Sequence, residues 1–210
     1  MLEIEYKGAN SVVFSTKNSK LITDPKLSLV GLKDVVVKDA IELATEARFL
    51  TKADAFISLE GPGEYEVGDF SIRGITAKRH IDHDETKQTT LYRIEVGEFR
   101  VGLIGNIDPK ITEEQLELIG VIDILVLPVG GGGYTLDAHA AATIVRQIEP
   151  KTVIPIHYAQ KDVAYEVPQD DVNLFVKELG AEVEKVGSKY KLKNTAMLKE
   201  ALSVIEIERS

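Results

Sequence analysis

Residues 122–158 read IDILVLPVGGGGYTLDAHAAATIVRQIEPKTVIPIHY, and this stretch decides the fold. Its two apolar runs, DILVLPV and TVIPI, do not alternate with polar residues, which predicts strands buried on both faces of a sheet. The run LDAHAAATIVRQI follows a glycine-rich loop and has the apolar spacing of an amphipathic helix. A strand, a helix and a second strand in this order predict a βαβ unit within an α/β fold.

The remaining patterns extend this unit in both directions. The first half of the chain contains short strand patterns separated by turn residues, and the alternating runs LYRIEV and FRVGLI around Gly97-Glu98 predict a β-hairpin. In the second half, TEEQLELIG predicts a helix capped by Thr112, and DDVNLFVKELG predicts a helix that ends at Gly180. Hairpins followed by βαβ units predict a mixed sheet sandwich with helices outside.

Three further segments complete the secondary-structure prediction. The runs EVEKV and KYKLK predict strands, and the C-terminal run TAMLKEALSVIEIERS predicts a closing helix. Residues 27–51 fit either a strand that runs into a helix or a single helix. We expect one domain that covers residues 1–210, because 210 residues with 44% hydrophobic content suffice for one sizeable core.

Composition limits the chemistry and the partners. The net charge of −9 disfavours phosphate backbones and anionic lipid headgroups, so we expect no nucleic acid and no membrane as a partner. No stretch approaches the roughly 18 apolar residues that a membrane span needs, which predicts a cytoplasmic protein. The chain contains no cysteine, so a transition metal would have to use histidine, aspartate or glutamate, and there are four histidines.

Four motifs together resemble the β-lactamase-like metal-dependent hydrolases. They are ITDP at residues 22–25, GPGEYEVGDFSIRGI at residues 61–75, GLIGN at residues 102–106 and the stretch at residues 122–158. The likeness covers residues 1 to about 160 and keeps the order of the motifs. Within the family, the sequence is most similar to the branch that contains predicted Zn-dependent hydrolases and the ascorbate-phosphate lactonase. The resemblance implies an αββα sandwich, with one or two metal ions held by loops at one edge of its paired sheets.

In the resembled family the ligands are an H-x-H-x-D-H motif after an early strand, a lone histidine, an aspartate in a G-D turn and a final histidine. His157, which ends TVIPI, corresponds to the final histidine, and Asn106 stands at the place of the turn aspartate. Around residues 36–45, where we align the first motif, there is no histidine. The family's G-H-S turn is changed to Gly8-Ala9-Asn10-Ser11. The resemblance therefore predicts a metal site that lacks most of its ligands.

The segment RHIDHDE at residues 79–85 offers further donors. By order along the chain, either His80 or His83 corresponds to the lone histidine, with Asp84 beside them. A second interpretation takes KRHIDH as the first motif with a lysine in place of its first histidine, and a third takes the segment as a solvated polar loop. The predicted metal-site residues are therefore His80, His83, Asp84, Asn106 and His157.

Three other features have weaker functional interpretations. His139 lies in a predicted helix on the side away from its apolar positions, so we expect a surface or packing residue. Asp24 in ITDP either orients the first motif, as in the family, or simply forms a turn before Pro25. We interpret the glycine loop as structural, with Gly131, Gly132 and Tyr134 as candidates to shape a pocket.

Two functional hypotheses follow from the sequence. The first is a catalytically silent or strongly divergent family member with a binding or assembly role, compatible with a small-molecule ligand or a homo-oligomer. The alternative is a metal-dependent hydrolase of a small ester, lactone or phosphoester that uses one metal-bound water. The first hypothesis expects zinc or another divalent metal to be sub-stoichiometric or absent, because the loss of several ligands removes most of the metal affinity.

Overall fold

The computed structural model describes residues 1–80 and 88–210. Its helices are α1 (Glu113–Ile119), α2 (Ala138–Ile148) and α3 (Val172–Leu179). Its strands are β1 (Leu2–Gly8), β2 (Ser11–Ser15), β3 (Lys20–Thr23), β4 (Ile41–Ala44), β5 (Ile57–Glu60), β6 (Gly63–Val67), β7 (Phe70–Lys78), β8 (Gln88–Val96), β9 (Phe99–Leu103), β10 (Ile124–Pro128), β11 (Thr152–Ile156), β12 (Glu182–Val186), β13 (Tyr190–Leu192) and β14 (Ser203–Ile207).

The strands form two mixed sheets. The first has six strands in the order β13-β1-β2-β3-β4-β5, and the second has eight in the order β12-β14-β11-β10-β9-β8-β7-β6. In the first sheet, β1 and β2 form an antiparallel hairpin, whereas β3, β4 and β5 run parallel. In the second sheet, β6 to β9 are antiparallel neighbours, and β9, β10, β11, β14 and β12 run parallel.

The structure confirms the sequence patterns that decide the fold. Strands β10 and β11 pair in parallel, with Ile124 opposite Thr152, and every residue of both strands is buried. Helix α2 connects them as the predicted βαβ unit. The predicted hairpin is also present, because β8 and β9 pair antiparallel on either side of Gly97-Glu98. The mixed α/β architecture with two large sheets is that of the αββα sandwich.

The helices begin and end where the sequence places their caps. The Thr112 hydroxyl accepts a hydrogen bond from the Gln115 backbone N–H, and the Gln115 side chain accepts one from the Thr112 N–H, which completes a capping box. Asp137 caps α2 through the Ala140 N–H, and α3 ends at Gly180 in a left-handed conformation. Each cap satisfies backbone groups that a helix end would otherwise leave unpaired.

A single large cluster of buried side chains contains residues from both sheets. It includes Tyr6 and Phe14 from the first sheet and Phe70, Tyr92 and Leu127 from the second. Burial of apolar area at about 25 cal/mol per Å² drives this packing. Since the core fixes the two sheets against one another, the loops at the carboxyl ends of their parallel strands are held on a rigid frame.

Two segments differ from the sequence-based prediction. The C-terminal run was predicted as a helix, but it forms a short 3₁₀ turn at Thr195–Met197 followed by strand β14. That prediction was wrong because β14 inserts between β11 and β12 and pairs with both, so the sheet overrides the local helical preference. Residues 27–51 form neither of the two predicted arrangements: β4 lies between two 3₁₀ turns, Leu27–Val30 and Ala47–Phe49.

No helix within residues 1–80 and 88–210 is long and apolar enough to cross a membrane.

Candidate functional site

A pocket lies where loops follow the carboxyl ends of parallel strands. Asp24 follows β3, Arg48 lies in the loop after β4, Tyr134 follows β10, and His157 follows β11. Ligand sites in open α/β sheets favour this position. The cavity volume is about 60 Å³, which at about 10–15 Å³ per water is room for about four to six water molecules. We call this cavity the strand-end pocket; it is lined by Ala9, Asn10, Asp24, Lys26, Leu27, Leu29, Val30, Arg48, Phe49, Tyr134, His157, Tyr165, Glu166, Val167 and Gln169.

Three residues with a strained backbone line the strand-end pocket. Eight non-glycine residues in the described ranges have a positive φ, and three of them, Ala9 (φ 45°), Asp24 (φ 42°) and His157 (φ 50°), line the pocket. A left-handed conformation costs a residue with a Cβ about 1–2 kcal/mol. Strained residues of this kind cluster at ligand and active sites, which supports a functional role for the pocket.

His157 is buried and fixed on several sides. Its backbone N–H donates to the carbonyl oxygen of Ala9 at 2.9 Å, and its Nδ1 lies 2.8 Å from Oδ1 of Asn10. Its ring lies between those of Tyr134 and Tyr165, with centroid separations of 5.7 and 4.7 Å. Burial, and secondly the positive charge of Arg48, lower the pKa of His157 to about 3, so the ring is neutral at neutral pH.

The two ring nitrogens of His157 therefore differ. An amide oxygen only accepts hydrogen bonds, so Nδ1 carries the proton and donates it to Asn10. This leaves a lone pair on Nε2, which is buried and has no hydrogen-bond partner among the described residues. A buried acceptor without a partner costs about 1–3 kcal/mol, so Nε2 is a candidate contact for a ligand.

Asn10 connects His157 to Asn106. The Nδ2 of Asn10 donates to Oδ1 of Asn106 at 3.4 Å, and Nδ2 of Asn106 has no hydrogen-bond partner among the described residues. The backbone N–H of His80 donates to the carbonyl oxygen of Asn106 at 3.0 Å. This contact brings His80 beside the two asparagines; we call residues 79–85, in which His80 lies, the 80s segment. Gly105 is required here because a Cβ would lie 2.7 Å from the side chain of Thr45.

Asp24 is a buried carboxyl group held by one neighbour. Its Oδ1 accepts the Thr45 backbone N–H and its Oδ2 accepts the Thr45 hydroxyl, both at 2.7 Å. Burial raises the pKa of Asp24 to about 7, although the two hydrogen bonds from Thr45 act in the opposite direction. The carboxyl group is therefore half protonated near neutral pH.

Arg48 provides a fixed positive charge in the strand-end pocket. Its Nε donates to Glu46 at 2.9 Å, its Nη2 donates to Glu46 and to the hydroxyl of Tyr134, and its guanidinium lies 4.7 Å from the ring centre of Phe49. Glu46 also accepts a hydrogen bond from Arg79 at 2.8 Å. The hydrogen bonds and the aromatic ring together fix the orientation of the guanidinium plane.

The structure brings some of the predicted metal-site residues together. His157 and Asn106 are joined through Asn10, and the His80 backbone contacts Asn106, whereas His83 and Asp84 lie outside the described residues. His139 has a side chain that is 79% exposed and pairs with Glu178, as expected for a surface histidine. Of the three pocket candidates in the glycine loop, Tyr134 lines the strand-end pocket and the two glycines do not.

The loop after β4 offers a second alignment of the first motif. Residues 41–44, which we aligned with part of that motif, are strand β4 itself, and the loop at the end of the strand is Thr45-Glu46-Ala47-Arg48-Phe49-Leu50. A motif that follows an early strand corresponds to this loop. Neither stretch contains a histidine.

The donors in the described ranges do not fit the metal ion that the resemblance implies. Structural and catalytic zinc sites use three or four protein ligands. Nε2 of His157 could provide one ligand of such a set. Both oxygens of Asp24 are engaged by Thr45, Glu46 pairs with two guanidinium groups, and Asn106 is a neutral amide. Within residues 1–80 and 88–210 no three histidine, aspartate or glutamate side chains are grouped so as to hold a metal.

Sequence reasoning missed Arg48 and Tyr165 and undervalued Asn10. A signal for Arg48 was present, because it is a charged residue between Ala47 and the apolar pair Phe49-Leu50. The departure from the family's G-H-S turn marked Asn10. No local pattern marks Tyr165, which lies in the loop between β11 and α3 and reaches His157 through tertiary packing.

Comparison with proteins of known structure identifies the fold. The protein is similar to a metallo-β-lactamase superfamily protein from Thermotoga maritima, with a TM-score of 0.79 and 23% identity over 99% of this chain and 100% of that one. It is also similar to a metallo hydrolase from Ignicoccus hospitalis, with a TM-score of 0.68 and 16% identity over 91% of this chain and 99% of that one. Both likenesses show the metallo-β-lactamase fold.

Sequence comparison identifies the family. A UPF0173 protein from Pyrococcus furiosus is 29% identical over 134 residues, 64% of this chain and 59% of the relative, so the match spans little more than half the relative's length. A metal-dependent hydrolase from Sulfurisphaera tokodaii is 41% identical over 70 residues, 31% of this chain and 29% of the relative. The model of the β-lactamase superfamily domain matches residues 3–157, which include every residue of the strand-end pocket up to His157. The chain therefore belongs to the β-lactamase superfamily.

Proposed function

We propose that this chain is a binding member of the β-lactamase superfamily whose strand-end pocket takes a small organic molecule and works without a metal ion. The observation that carries the proposal is Arg48. Arg48 lines the pocket from the loop after β4. By the resemblance, the family's first histidine motif would follow an early strand at this place. A fixed positive charge there repels a second cation and attracts a polar or anionic group instead.

The state of His157 supports this proposal. Burial and the charge of Arg48 lower its pKa, and protonation or a bound cation would each add positive charge beside the guanidinium. The pocket is lined by three residues with a left-handed backbone and by the rings of Tyr134 and Tyr165, which contact the ring of His157. A preformed cavity with a few fixed polar groups is the usual construction of a small-molecule site.

A metal-dependent hydrolase is the second candidate, and one observation favours it. The Nε2 lone pair of His157 is buried, unpartnered and held in the tautomer that binds metals, because Nδ1 donates to Asn10. The relative from Sulfurisphaera tokodaii is named a metal-dependent hydrolase. With this candidate, His157 and donors of the 80s segment would share one metal ion.

Metal content separates the two candidates. The full chain, purified without a histidine tag from cells grown with added zinc, manganese and iron, is measured by inductively coupled plasma mass spectrometry and titrated with zinc by calorimetry. We expect less than about a tenth of an equivalent of metal, because a single imidazole provides little of the affinity of a full ligand set.

Two histidine variants make the result specific. His157→Ala removes the buried candidate ligand, and His139→Ala removes an exposed histidine that pairs with Glu178 on the protein surface. Stoichiometric zinc that is lost in His157→Ala and kept in His139→Ala would refute the metal-free proposal and establish the metal-dependent alternative. His83→Ala would then show whether the 80s segment contributes a ligand.

A further inference from the structure

We infer that the strand-end pocket binds a small organic carboxylate that carries a hydroxyl group, with the carboxylate on Arg48 and Lys26 and the hydroxyl on Nε2 of His157. This inference rests on the proposed function, because it requires a pocket that takes an organic molecule. The charges of the pocket, its unpartnered acceptor and its apolar walls together select this class of ligand.

Two cationic residues, Lys26 and Arg48, line the strand-end pocket. The backbone N–H of Lys26 donates to the carbonyl oxygen of Phe49 at 2.9 Å, which holds Lys26 next to the Arg48 loop. The Lys26 ammonium has no ion pair with the described residues, and Nη1 of Arg48 makes no hydrogen bond to them. The Glu46 carboxylate forms ion pairs with both Arg48 and Arg79, so its single negative charge is shared by two guanidinium groups. An anionic group would find donors from both cations here.

The acidic groups of the pocket do not occupy these cations. Both oxygens of Asp24 accept hydrogen bonds from Thr45, and Asp24 forms no ion pair with Lys26 or Arg48. Glu166 is exposed at the rim and forms no ion pair with the described residues. Among the described residues, Nη1 of Arg48 and the Lys26 ammonium are therefore left for the anion of a ligand.

The unpartnered nitrogen of His157 selects a hydrogen-bond donor. Its Nδ1 is committed to Asn10, so Nε2 is an acceptor that is fully buried and lacks a partner among the described residues. A carboxylate cannot donate to it, whereas a hydroxyl group can. A ligand that satisfies both features carries a carboxylate at one end and a hydroxyl group elsewhere.

Apolar side chains make an inorganic anion a poor fit. Leu27, Val30, Phe49 and Val167 line the strand-end pocket, and contact with these walls would desolvate phosphate without replacing its hydrogen bonds. A short carbon chain gains from the same contacts. The cavity volume of about 60 Å³ is compatible with an acid of three or four carbons.

Binding to the full chain is measured by calorimetry and by ¹⁵N NMR with five probes. Lactate and 3-hydroxypropionate carry the hydroxyl on different carbons, propionate lacks it, lactamide replaces the carboxylate by a neutral amide, and phosphate is the inorganic anion. We expect at least one hydroxy acid to bind about tenfold more tightly than both propionate and lactamide, which corresponds to about 1.4 kcal/mol. The NMR shifts should map to the pocket residues.

Variants assign the two contacts. Arg48→Gln should weaken binding of the preferred hydroxy acid about tenfold and Lys26→Gln about threefold, because a fixed guanidinium binds a carboxylate more strongly than a mobile ammonium. Lys33→Gln is the matched control, since Lys33 is exposed and does not line the pocket. His157→Ala should remove the preference for the hydroxy acid over propionate and keep the preference for lactate over lactamide.

The possible outcomes separate this inference from the proposed function. Equal binding of lactamide and lactate, or unchanged binding in Arg48→Gln, would overturn the inference while a metal-free binding pocket remains. Binding of none of the five probes would also overturn it. Stoichiometric zinc on His157 would refute the proposed function itself. If Arg48→Gln does not fold, Lys26→Gln and the comparison between lactate and lactamide decide.

Discussion

The buried carboxyl group of Asp24 predicts an unusual dependence of stability on pH. Its pKa is raised to about 7 from an ordinary value of 3.8. Between these two values the folded protein binds a proton that the unfolded chain has lost, so the free energy of unfolding falls as pH rises. About three pKa units at about 1.4 kcal/mol each give a loss of about 4 kcal/mol between pH 4 and pH 7.5.

His157 acts in the opposite direction over part of the same range. Its pKa is lowered from 6.5 to about 3, so the unfolded chain binds the additional proton and the folded state gains stability as pH rises through this window. The two effects oppose one another between about pH 4 and pH 6.5 in the wild-type protein. A single pH curve would therefore hide the contribution of Asp24.

The variant Asp24→Asn isolates this contribution. Asparagine keeps one oxygen for the Thr45 N–H and can donate to the Thr45 hydroxyl, but it does not titrate. The lowered pKa of His157 has burial and Arg48 as its causes, so removal of the Asp24 charge should leave that effect in place. The difference in unfolding free energy, wild type minus variant, should fall by about 4 kcal/mol from pH 4 to pH 7.5.

Urea denaturation at half-unit steps of pH measures this difference, with Asp54→Asn as the control because Asp54 is exposed and lies outside the pocket. We expect the Asp54→Asn curve to run parallel to that of the wild type. A difference for Asp24→Asn that stays constant within about 1 kcal/mol across the range would refute the argument, because it would mean that the carboxyl group titrates alike in both states.

Three further predictions concern the frame of the pocket. Gly130→Ala should prevent stable folding or lower the free energy of unfolding by about 3 kcal/mol or more, since its Cβ would lie 2.3 Å from the carbonyl oxygen of His157. Gly133→Ala, at φ 72° with no atom within 4 Å of the new Cβ, should cost only about 1–2 kcal/mol. Thermal unfolding of both variants measures the difference. Asn10→Ala should destabilise by about 1–3 kcal/mol and shift the ¹⁵N NMR signals of the His157 ring away from the Nδ1-protonated tautomer, and unchanged ring signals would contradict the assigned hydrogen bond. Asp137→Ala should lower the free energy of unfolding by about 1 kcal/mol in urea, because it removes the cap of α2, and it should leave the His157 ring signals unchanged.

The sequence predicts those parts of the fold whose local and tertiary preferences agree. The apolar runs that form β10 and β11, the capped helix between them and the turn at Gly97 are each readable from short windows. His157 was found for the same reason, because it ends a buried strand. The C-terminal segment was misjudged because its strand depends on pairing with β11 and β12, and one of these strands lies about fifty residues earlier in the chain.

The chemistry of the site was less predictable, because its contacts join residues that are distant in sequence. Asn10 meets His157 across 147 positions, and Arg48 meets Tyr134 across 86. No periodicity encodes such pairs. In addition, β4 has only four residues, and a 3₁₀ turn begins three residues after its end, so the windows around Arg48 contain no regular pattern.

The geometry of the strand-end pocket argues that it is in use. Ala9, Asp24 and His157 each adopt a left-handed backbone at a cost of about 1–2 kcal/mol, and His157 keeps a buried nitrogen without a protein partner. Arg48 is held by hydrogen bonds and by ring contacts, which fixes a charge that a solvated surface residue would leave mobile. Proteins tolerate such costs where the surrounding structure and a ligand require them. The described donors do not fit a metal ion. The geometry therefore supports the proposed ligand, which would meet a fixed guanidinium and a buried hydrogen-bond acceptor.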